Sequence, residues 1–368
     1  MTSPLFSTLP RRILLVCTQR IGDVLLTTPL ARSMKRAWPQ VQVDALVLPG
    51  AEGVLVGNPD FSQILAFPQR VGLREKFRQF RSLWQRYDLA ISPLATDRAR
   101  LFCRVAGRRR VGVLQAEGER SKALLLDRWL SFDDLDTHTV AMGLQLTRLL
   151  GIAPVPEVVP PSAPLPSGIP PAGAYVVLHP SPMFRYKQWT EAGWVTLARW
   201  LAAQGFTVVL TGGPAEEERQ LAERVRQGMG ADTENSGNTG EAGLNLAGRL
   251  SLAETAALIR QAALFVGPDT AVTHIAAATG VPTLALFGPS NPVKWGPWPK
   301  GWATLESPWA RRGSARQGNV HLLQGEDGRG CVPCLLEGCE RHVHSESQCL
   351  LTLSPERVIA AAAGLMAG

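Results

Sequence analysis

The sequence predicts an α/β protein with two Rossmann-like domains, and three observations support this prediction. Short, fully apolar runs alternate with helix-like segments in both halves of the chain, as in parallel βαβ units. Eight prolines within residues 153–171 separate the halves, because repeated proline prevents a helix or a central strand. The length of 368 residues suits about two domains.

The first domain begins with the apolar run at 13–17, which is typical of a strand buried on both faces. A helix that ends before Pro39 and a strand at 41–47 would complete a βαβ unit. Gly22 permits a tight turn after the first strand, at the sheet edge where ligands bind in open parallel sheets. Asp23 either caps the following helix or faces a cleft.

Residues 71–87 show the clearest helical periodicity. Three arginines lie beside an apolar stripe that consists of Leu73, Phe77, Phe80, Trp84 and Tyr87. One interpretation is a surface helix whose apolar side packs on the core. The other is a basic amphipathic helix at a membrane interface.

The second half repeats the α/β pattern, and its most informative stretch is 264–288. This stretch predicts a strand, a turn, a helix of small residues that ends at Gly280, and a second strand. Asp269 or Thr270 is the expected N-cap. Because the first N–H groups of a helix have no intrahelical partner, we expect a ligand phosphate at this end.

The predicted domain bounds follow from these patterns. We expect a first domain at 1–160, a Pro-rich linker at 161–173, a second domain at 174–353 and a closing helical segment at 354–368.

The net charge of +7 is unevenly placed. Residues 1–165 contain 22 Lys and Arg against 14 Asp and Glu, whereas the remainder contains 16 against 17. This bias favours an acidic partner for the first half, either an anionic substrate, a membrane surface or nucleic acid, although a solvated basic surface has the same composition. No apolar run reaches the roughly 18 residues that span a bilayer, and we identify no signal peptide, so a cytoplasmic protein is expected.

Several common uses of Rossmann-like domains are excluded by missing motifs. The dinucleotide fingerprint G-x-G-x-x-G after a strand, the P-loop and the G-x-S-x-G elbow are all absent. Two α/β domains without these signatures suit a glycosyltransferase that uses a nucleotide sugar.

Five segments in order carry a family resemblance: RIGDVLLTTP, YKQWTEAGW, LTGGPAEEER, NLAGRLSLAETAALI and VGPDTAVTHIAAATGVPTLALFGPSNPVKWGPW. Together they resemble the ADP-heptose:lipopolysaccharide heptosyltransferases, glycosyltransferase family 9. The GDVLLTTP form and the cysteine-rich tail are most similar to the heptosyltransferase III type. The resemblance implies the GT-B fold, in which an acceptor domain and a donor domain face each other across a cleft and the last helix packs back on the first domain.

The resemblance also implies inverting transfer of heptose from ADP-heptose to the inner core of lipopolysaccharide, with no metal needed for catalysis. Asp23 matches the family's general base, with Arg20 and Gly22 as acceptor-side neighbours. Lys187 matches the lysine that meets charge on the departing phosphate, and Thr270 with the turn amides would hold the other phosphate oxygens. The structural alternatives are a helix cap for Asp23 and a solvated loop lysine for Lys187.

Further donor-side candidates follow from the same match. Asp269 would contact sugar hydroxyls or hold the turn, and Gly288 would line the donor cleft. Glu216, after Gly213, matches the position that binds the adenosine ribose, unless it serves the helix dipole alone. His274 either reaches the ligand or is a satisfied core histidine.

The tail has the spacing C-x2-C-x4-C-x9-C. This pattern suits a structural zinc or iron site, with four reduced thiols as the alternative, and its residues are Cys331, Cys334, Cys339 and Cys349. Cys17 and Cys103 lie in apolar runs and are expected in the core.

The expected partners are ADP-heptose and a lipopolysaccharide acceptor at the inner membrane surface, whose carboxylates and phosphates would suit the basic first half. This places the protein in the cytoplasm, with a peripheral position at the inner face of the inner membrane, and without nucleic acid. Rival hypotheses are heptosyl transfer to a protein, another ADP-sugar donor, a GT-B nucleotide-sugar 2-epimerase, and a non-catalytic protein that binds envelope glycans.

Overall fold

The computed structural model describes residues 8–115, 120–230, 243–326, 328 and 330–367. The chain forms two compact units, and each is described by itself. The first consists of Met1–Pro161 with Gly301–Ser307, and the second of Ser162–Lys300 with Pro308–Gly368. The division after Pro161 falls in the Pro-rich segment. No helix among the described residues is long and apolar enough to cross a membrane.

The first unit contains a six-stranded parallel sheet in the order β3-β2-β1-β4-β5-β6. Its strands are β1 (Arg12–Cys17), β2 (Gln42–Val47), β3 (Gln63–Ala66), β4 (Tyr87–Ile91), β5 (Gly107–Leu114) and β6 (Arg128–Ser131). Its helices are α1 (Ile21–Leu26), α2 (Thr28–Ala37), α3 (Leu73–Leu83), α4 (Asp97–Ala106) and α5 (Thr139–Leu150), with 3-10 turns at Glu52–Leu55 and Arg120–Leu125.

The helix expected after the first strand is two helices that meet at Thr27. Pro29 has no N–H to donate to the carbonyl of Leu25 four residues earlier. The hydroxyl of Thr28 donates to that carbonyl instead, at 2.7 Å. Proline is tolerated here because it stands in the first turn of α2.

Helix α3 corrects one prediction. Leu73, Phe77 and Trp84 are 86%, 68% and 63% exposed, so the interpretation that places the stripe on the core is wrong for these three residues. The other two members of the stripe do reach the core, because Phe80 packs against it and Tyr87 is buried in β4. The fully buried residues of α3 are Gln79 and Leu83, which the stripe does not include.

The second unit contains a seven-stranded sheet in the order β12-β13-β11-β10-β7-β8-β9, in which only β12 is antiparallel to its neighbour. Its strands are β7 (Tyr175–Leu178), β8 (Thr207–Leu210), β9 (Leu244–Asn245), β10 (Leu264–Pro268), β11 (Thr283–Phe287), β12 (Ala315–Gln317) and β13 (Val320–Gln324). Its helices are α6 (Glu191–Ala203), α7 (Glu216–Gly230), α8 (Leu252–Arg260), α9 (Ala271–Thr279), α10 (Pro292–Trp295), α11 (Gln348–Leu351) and α12 (Pro355–Met366), with a 3-10 turn at Arg185–Lys187.

The closing helix α12 lies in the second unit. It contacts α6 and the strands β10, β11 and β13. Val358, Ala362 and Leu365 are buried in the core of that unit. Small side chains on this face allow a close approach to the sheet, so the apolar side of α12 is buried against the second unit.

The stretch at 264–288 forms the elements predicted for it. Thr270 is the N-cap of α9, and its hydroxyl accepts a hydrogen bond from the N–H of Thr273. Gly280 ends the helix with a φ of 91°, a left-handed conformation that favours glycine. Both flanking strands are fully buried.

Both sheets share one functional property. In each, the strand order reverses beside the first strand, between β1 and β4 in the first unit and between β7 and β10 in the second. Ligands in open α/β sheets bind at such a reversal, outside the carboxyl ends of the strands. Each unit therefore has one preferred edge for a site.

Candidate active site

The second unit places an ion pair at its preferred edge. Nζ of Lys187 lies 2.5 Å from Oδ2 of Asp269, and the two side chains are 20% and 7% exposed. Asp269 directly follows β10, and Lys187 ends a 3-10 turn in the segment after β7. The structure thus brings together two residues that the sequence places 82 positions apart.

The charge of Asp269 is maintained despite burial. Burial alone would raise the pKa of this carboxyl group, because a low dielectric disfavours the anion. The positive charge of Lys187, a hydrogen bond from Ser290 and the nearby His274 outweigh burial and hold the pKa of Asp269 below its usual value. Asp269 is therefore an anion that neutralises part of the charge on Lys187.

Two buried polar groups at this edge have no hydrogen-bond partner among the described residues. They are Oγ of Ser181 and Nδ1 of His274. Leu178 pairs with Val266 across β7 and β10, so Ser181, three residues past β7, lies at the same edge as Asp269. Buried polar atoms without a partner are uncommon in native proteins, and they fit a site that a polar ligand completes.

His274 lies in the first turn of α9 and is buried. Burial lowers its pKa to about 4, and Lys187 acts in the same direction while Asp269 opposes it. The ring is therefore neutral at pH 7. A neutral imidazole can donate or accept one hydrogen bond at Nδ1 but cannot supply positive charge to a ligand.

His179 belongs to the same edge and was not identified from the sequence. Its Nδ1 lies 3.1 Å from the hydroxyl oxygen of Thr211, which follows β8, and burial lowers the pKa of His179 to about 4. The signal that could have identified His179, Ser181 and Thr211 is their position at or just beyond the carboxyl ends of the apolar runs that form β7 and β8.

Thr270 is engaged in the cap of α9. Its hydroxyl lies 3.2 Å from that of Thr273, whose own hydroxyl donates to the carbonyl of Pro268 at 2.5 Å. These bonds fix the turn that starts α9. The first N–H groups of a helix cannot bond within it, so this turn presents donors for an anion beside Lys187.

Gly213 and Glu216, two of the donor-side candidates, have different surroundings. The N–H of Gly213 donates to Oε2 of Glu218 at 2.7 Å. Glu216 is exposed at the start of α7, where its carboxylate contacts Arg219 and accepts from Gln220 at 2.8 Å. These contacts with residues of its own helix agree with the interpretation that Glu216 serves the helix dipole. A contact of Glu216 with a ribose stays a prediction.

Gly288 borders the protein core. A Cβ added to Gly288 would lie 2.8 Å from the side chain of Leu350 and 3.2 Å from Sγ of Cys349. The position therefore requires glycine for packing on its Cβ side. Contact of its backbone with a donor stays a prediction.

The metal site expected at the four tail cysteines stays a prediction. Among the described residues, no three His, Cys, Asp or Glu side chains are grouped so as to hold a metal ion. Cys349 is buried in the core of the second unit, whereas Cys331 and Cys339 are exposed.

The first unit carries Asp23 in the first turn of α1, beyond the end of β1. The N–H of Arg20 donates to Oδ2 of Asp23 at 3.3 Å, so the cap interaction predicted for Asp23 is present. Gly22 lies within α1 and does not form a separate turn before it. Arg20 is exposed and Asp23 is half-buried at the preferred edge of this sheet.

The sequence model of Glycosyltransferase family 9 (heptosyltransferase) matches residues 61–311, which is more than half of the chain. The chain belongs to glycosyltransferase family 9.

The similarity to characterised family 9 members extends over most of the chain. Lipopolysaccharide heptosyltransferase 1 of Pseudomonas aeruginosa is 30% identical over 94% of this chain and 92% of its own length. Lipopolysaccharide heptosyltransferase 3 of Escherichia coli is 28% identical over 75% of this chain and 83% of its own. The structure of the E. coli ADP-heptose lipopolysaccharide heptosyltransferase II aligns with a TM-score of 0.70, at 20% identity, over 97% of this chain and 98% of that one. This likeness confirms the GT-B fold.

Proposed function

We propose that this family 9 enzyme transfers heptose from ADP-heptose to a hydroxyl of the inner core of lipopolysaccharide, with inversion at the anomeric carbon. The observation that carries the proposal is the Lys187–Asp269 pair beside the start of α9, with two unpartnered buried polar atoms nearby. Its family membership and its similarity to lipopolysaccharide heptosyltransferases support the choice of substrates.

The donor side would act by electrostatics. As the bond between the anomeric carbon and the phosphate oxygen breaks, negative charge grows on the departing ADP. Lys187 would meet this charge, while the first N–H groups of α9 and the hydroxyl of Thr270 donate to other phosphate oxygens. Ser181 and His274 would satisfy their free hydrogen-bonding capacity on the same ligand.

Asp269 would have a positioning role on the donor side. Its negative charge opposes direct contact with phosphate, but the ion pair holds Lys187 in one orientation. The carboxylate can also accept a hydrogen bond from a donor-sugar hydroxyl. A lysine that is already oriented loses less conformational entropy when it binds the leaving group.

On the acceptor side, Asp23 would act as general base. Its carboxylate would take the proton of the acceptor hydroxyl while that oxygen forms its bond to the anomeric carbon, so that ADP leaves from the opposite face. The N–H of Arg20 fixes one carboxylate oxygen and thereby orients the group. Arg20 and Gly22 would lie next to the acceptor. The tail cysteines have no part in this reaction.

The deciding experiment compares the lipopolysaccharide core from cells with and without this protein by mass spectrometry. Loss of one heptose from the core would support the proposal, and the branch position of the lost sugar would distinguish the type III assignment from types I and II. An unchanged core would contradict it. Purified protein with labelled ADP-heptose and either acceptor then separates transfer to lipopolysaccharide from transfer to a protein, and turnover of a UDP-sugar would indicate the epimerase.

A further inference from the structure

Helix α3 exposes an apolar surface that the proposed reaction does not use. Leu73 and Phe77 are four residues apart and lie on one side of α3, and Trp84 is the C-cap residue seven positions after Phe77. All three are more than 60% exposed. Contiguous apolar side chains of this size at a surface mark an interaction site. We name this surface, consisting of Leu73, Phe77 and Trp84, the α3 ridge.

The opposite side of α3 packs against the rest of the first unit and fixes the position of the α3 ridge. Gln79 and Leu83 are buried on the other side of α3. The ring of Phe80 packs edge-on against Phe102 of α4, with 5.7 Å between ring centroids. The ridge is therefore a preformed surface of the first unit, and its exposure does not result from a loose segment.

Basic residues border the α3 ridge. Between residues 70 and 86 the chain has one acidic side chain, Glu75, which pairs with Arg78 within the helix. The six basic side chains of this range are all exposed: Arg70, Arg74, Lys76, Arg78, Arg81 and Arg86. A partner that covers the ridge must therefore be apolar at its centre and negatively charged around it.

The arginine-rich segment at 98–110 contributes less to the surface than its sequence suggests. Arg100 is buried and pairs with Asp97, and Arg110 pairs with Asp127 at 2.8 Å. Arg98 stacks on Phe102. Arg104, Arg108 and Arg109 remain exposed, so this segment adds half of its arginines to the surface, whereas all six basic side chains at 70–86 are exposed.

We propose that the α3 ridge and its arginines dock the protein on an anionic lipid bilayer. An amphipathic helix with Trp, Phe and Leu on one side and arginines beside them is the pattern that inserts at the boundary of headgroups and acyl chains. Tryptophan is favoured at that depth, and each basic side chain near an anionic surface adds attraction.

Docking is independent of the proposed transfer, although a lipid-linked acceptor would lie at the same surface. The test is sedimentation of the full-length protein with vesicles of phosphatidylcholine alone or with phosphatidylglycerol added. We expect binding to the anionic vesicles that falls steeply when salt is raised. The vesicles carry no sugar, so their result stands whether or not the transfer reaction is correct.

Two variants and two matched controls test the surface. Phe77→Glu and the double variant R74E/R81E should each lower the vesicle partition constant about tenfold or more. Leu135→Glu alters an exposed apolar side chain elsewhere in the first unit, and R260E/R312E makes the same charge change in the second unit. Both controls should bind vesicles as the unaltered protein does.

Three results would overturn the proposal. The first is failure of the unaltered protein to bind anionic vesicles, and the second is equal loss of binding in the controls. The third is a dimer of the unaltered protein in solution that becomes a monomer in the α3 variants while vesicle binding stays intact. The last result would assign the α3 ridge to a second copy of the chain. Because the altered side chains are exposed, each variant should keep its thermal midpoint, which verifies folding.

Discussion

Nζ of Lys187 lies 2.5 Å from Oδ2 of Asp269, and the pair is largely removed from solvent. The residue proposed to meet the leaving group is therefore neutralised in part before any donor binds. A donor phosphate would share or take over this lysine. The Lys187–Asp269 contact therefore contributes to the stability of the second unit and also orients the lysine that is proposed to act in transfer.

Lys187→Met should destabilise the protein by about 2–4 kcal/mol, because it leaves the carboxylate of Asp269 buried without its cation. The double variant K187M/D269N should recover most of that loss, since neither charge remains. Urea unfolding measures both. Lys300→Met, at an exposed lysine of the same unit, is the control and should change little.

The transfer rate should respond to these two variants differently from the free energy of unfolding. Both K187M and K187M/D269N should lose about 10²-fold or more in kcat, because neither can meet charge on the departing phosphate. If the double variant were as unstable as the single one, the two residues would not be coupled. Full activity of K187M would remove Lys187 from the mechanism.

Asp23→Asn should lower kcat by about 10²- to 10⁴-fold, because the amide cannot take the acceptor proton. Its side-chain oxygen can still accept from the N–H of Arg20, so the cap and the folded state should be preserved. Calorimetric binding of ADP-heptose should be unchanged, since Asp23 is not assigned to the donor. Glu191→Gln, at a first-turn carboxylate of α6, should retain activity. Normal transfer by D23N would favour the non-catalytic alternative.

The two buried histidines predict loss of stability in mild acid. The pKa values of His179 and His274 are lowered to about 4 in the folded protein, against an ordinary value of 6.5. As pH falls from 6.5 towards 4, the unfolded chain binds protons that the folded chain does not, so the contribution is complete above about 6.5 and is lost through this window. Each histidine should cost about 2 kcal/mol between pH 7 and pH 5.

Urea unfolding at pH 7 and at pH 5 measures this loss of stability, with His179→Asn and His274→Asn as variants. Each variant should flatten the pH dependence by about the contribution of one histidine, whatever its stability at pH 7. His321 is half-buried and its pKa is also lowered, so His321→Asn serves as a weaker comparison. An unchanged slope in both main variants would show that the folded protein accepts these protons.

Thiol labelling tests the arrangement of the tail. In the native protein Cys331 and Cys339 should react quickly with an alkylating reagent, while Cys349 should react only after unfolding. Cys17 and Cys103 are the buried controls, because burial raises the pKa of both thiols, that of Cys103 to about 12. A metal held by all four tail cysteines would instead protect Cys331 and Cys339 until a chelator is added, and metal analysis would then detect zinc or iron.

Much of the fold follows from local sequence. The apolar runs predict buried parallel strands because both faces of such strands are covered. Ser251 and Glu254 predict the capping box that starts α8, and Gly280 predicts the left-handed end of α9. These features depend on contacts between residues a few positions apart, which a sequence displays directly.

The candidate site was predictable only in part, because its parts come from different strands. Lys187 was identified by resemblance and the cap at Thr270 from the local sequence, whereas the ion pair between Lys187 and Asp269 forms only when β7 and β10 are neighbours. His179 and Ser181 carry no motif and gain significance from burial. The spacing of the four cysteines suggested a metal, which stays a prediction, whereas the burial of Cys349 in the core is a long-range outcome that spacing does not encode.

The sequence by itself determined the family, the α/β class and the choice of Asp23 and Lys187 as candidate site residues, because motifs and local periodicity indicate all of these directly. Only the tertiary structure decided which side of α3 meets the core. A periodic stripe states that a helix has an apolar side, but not whether the protein interior or an external surface covers it. For Leu73, Phe77 and Trp84 the interior contacts another face of the helix, and these three side chains remain exposed.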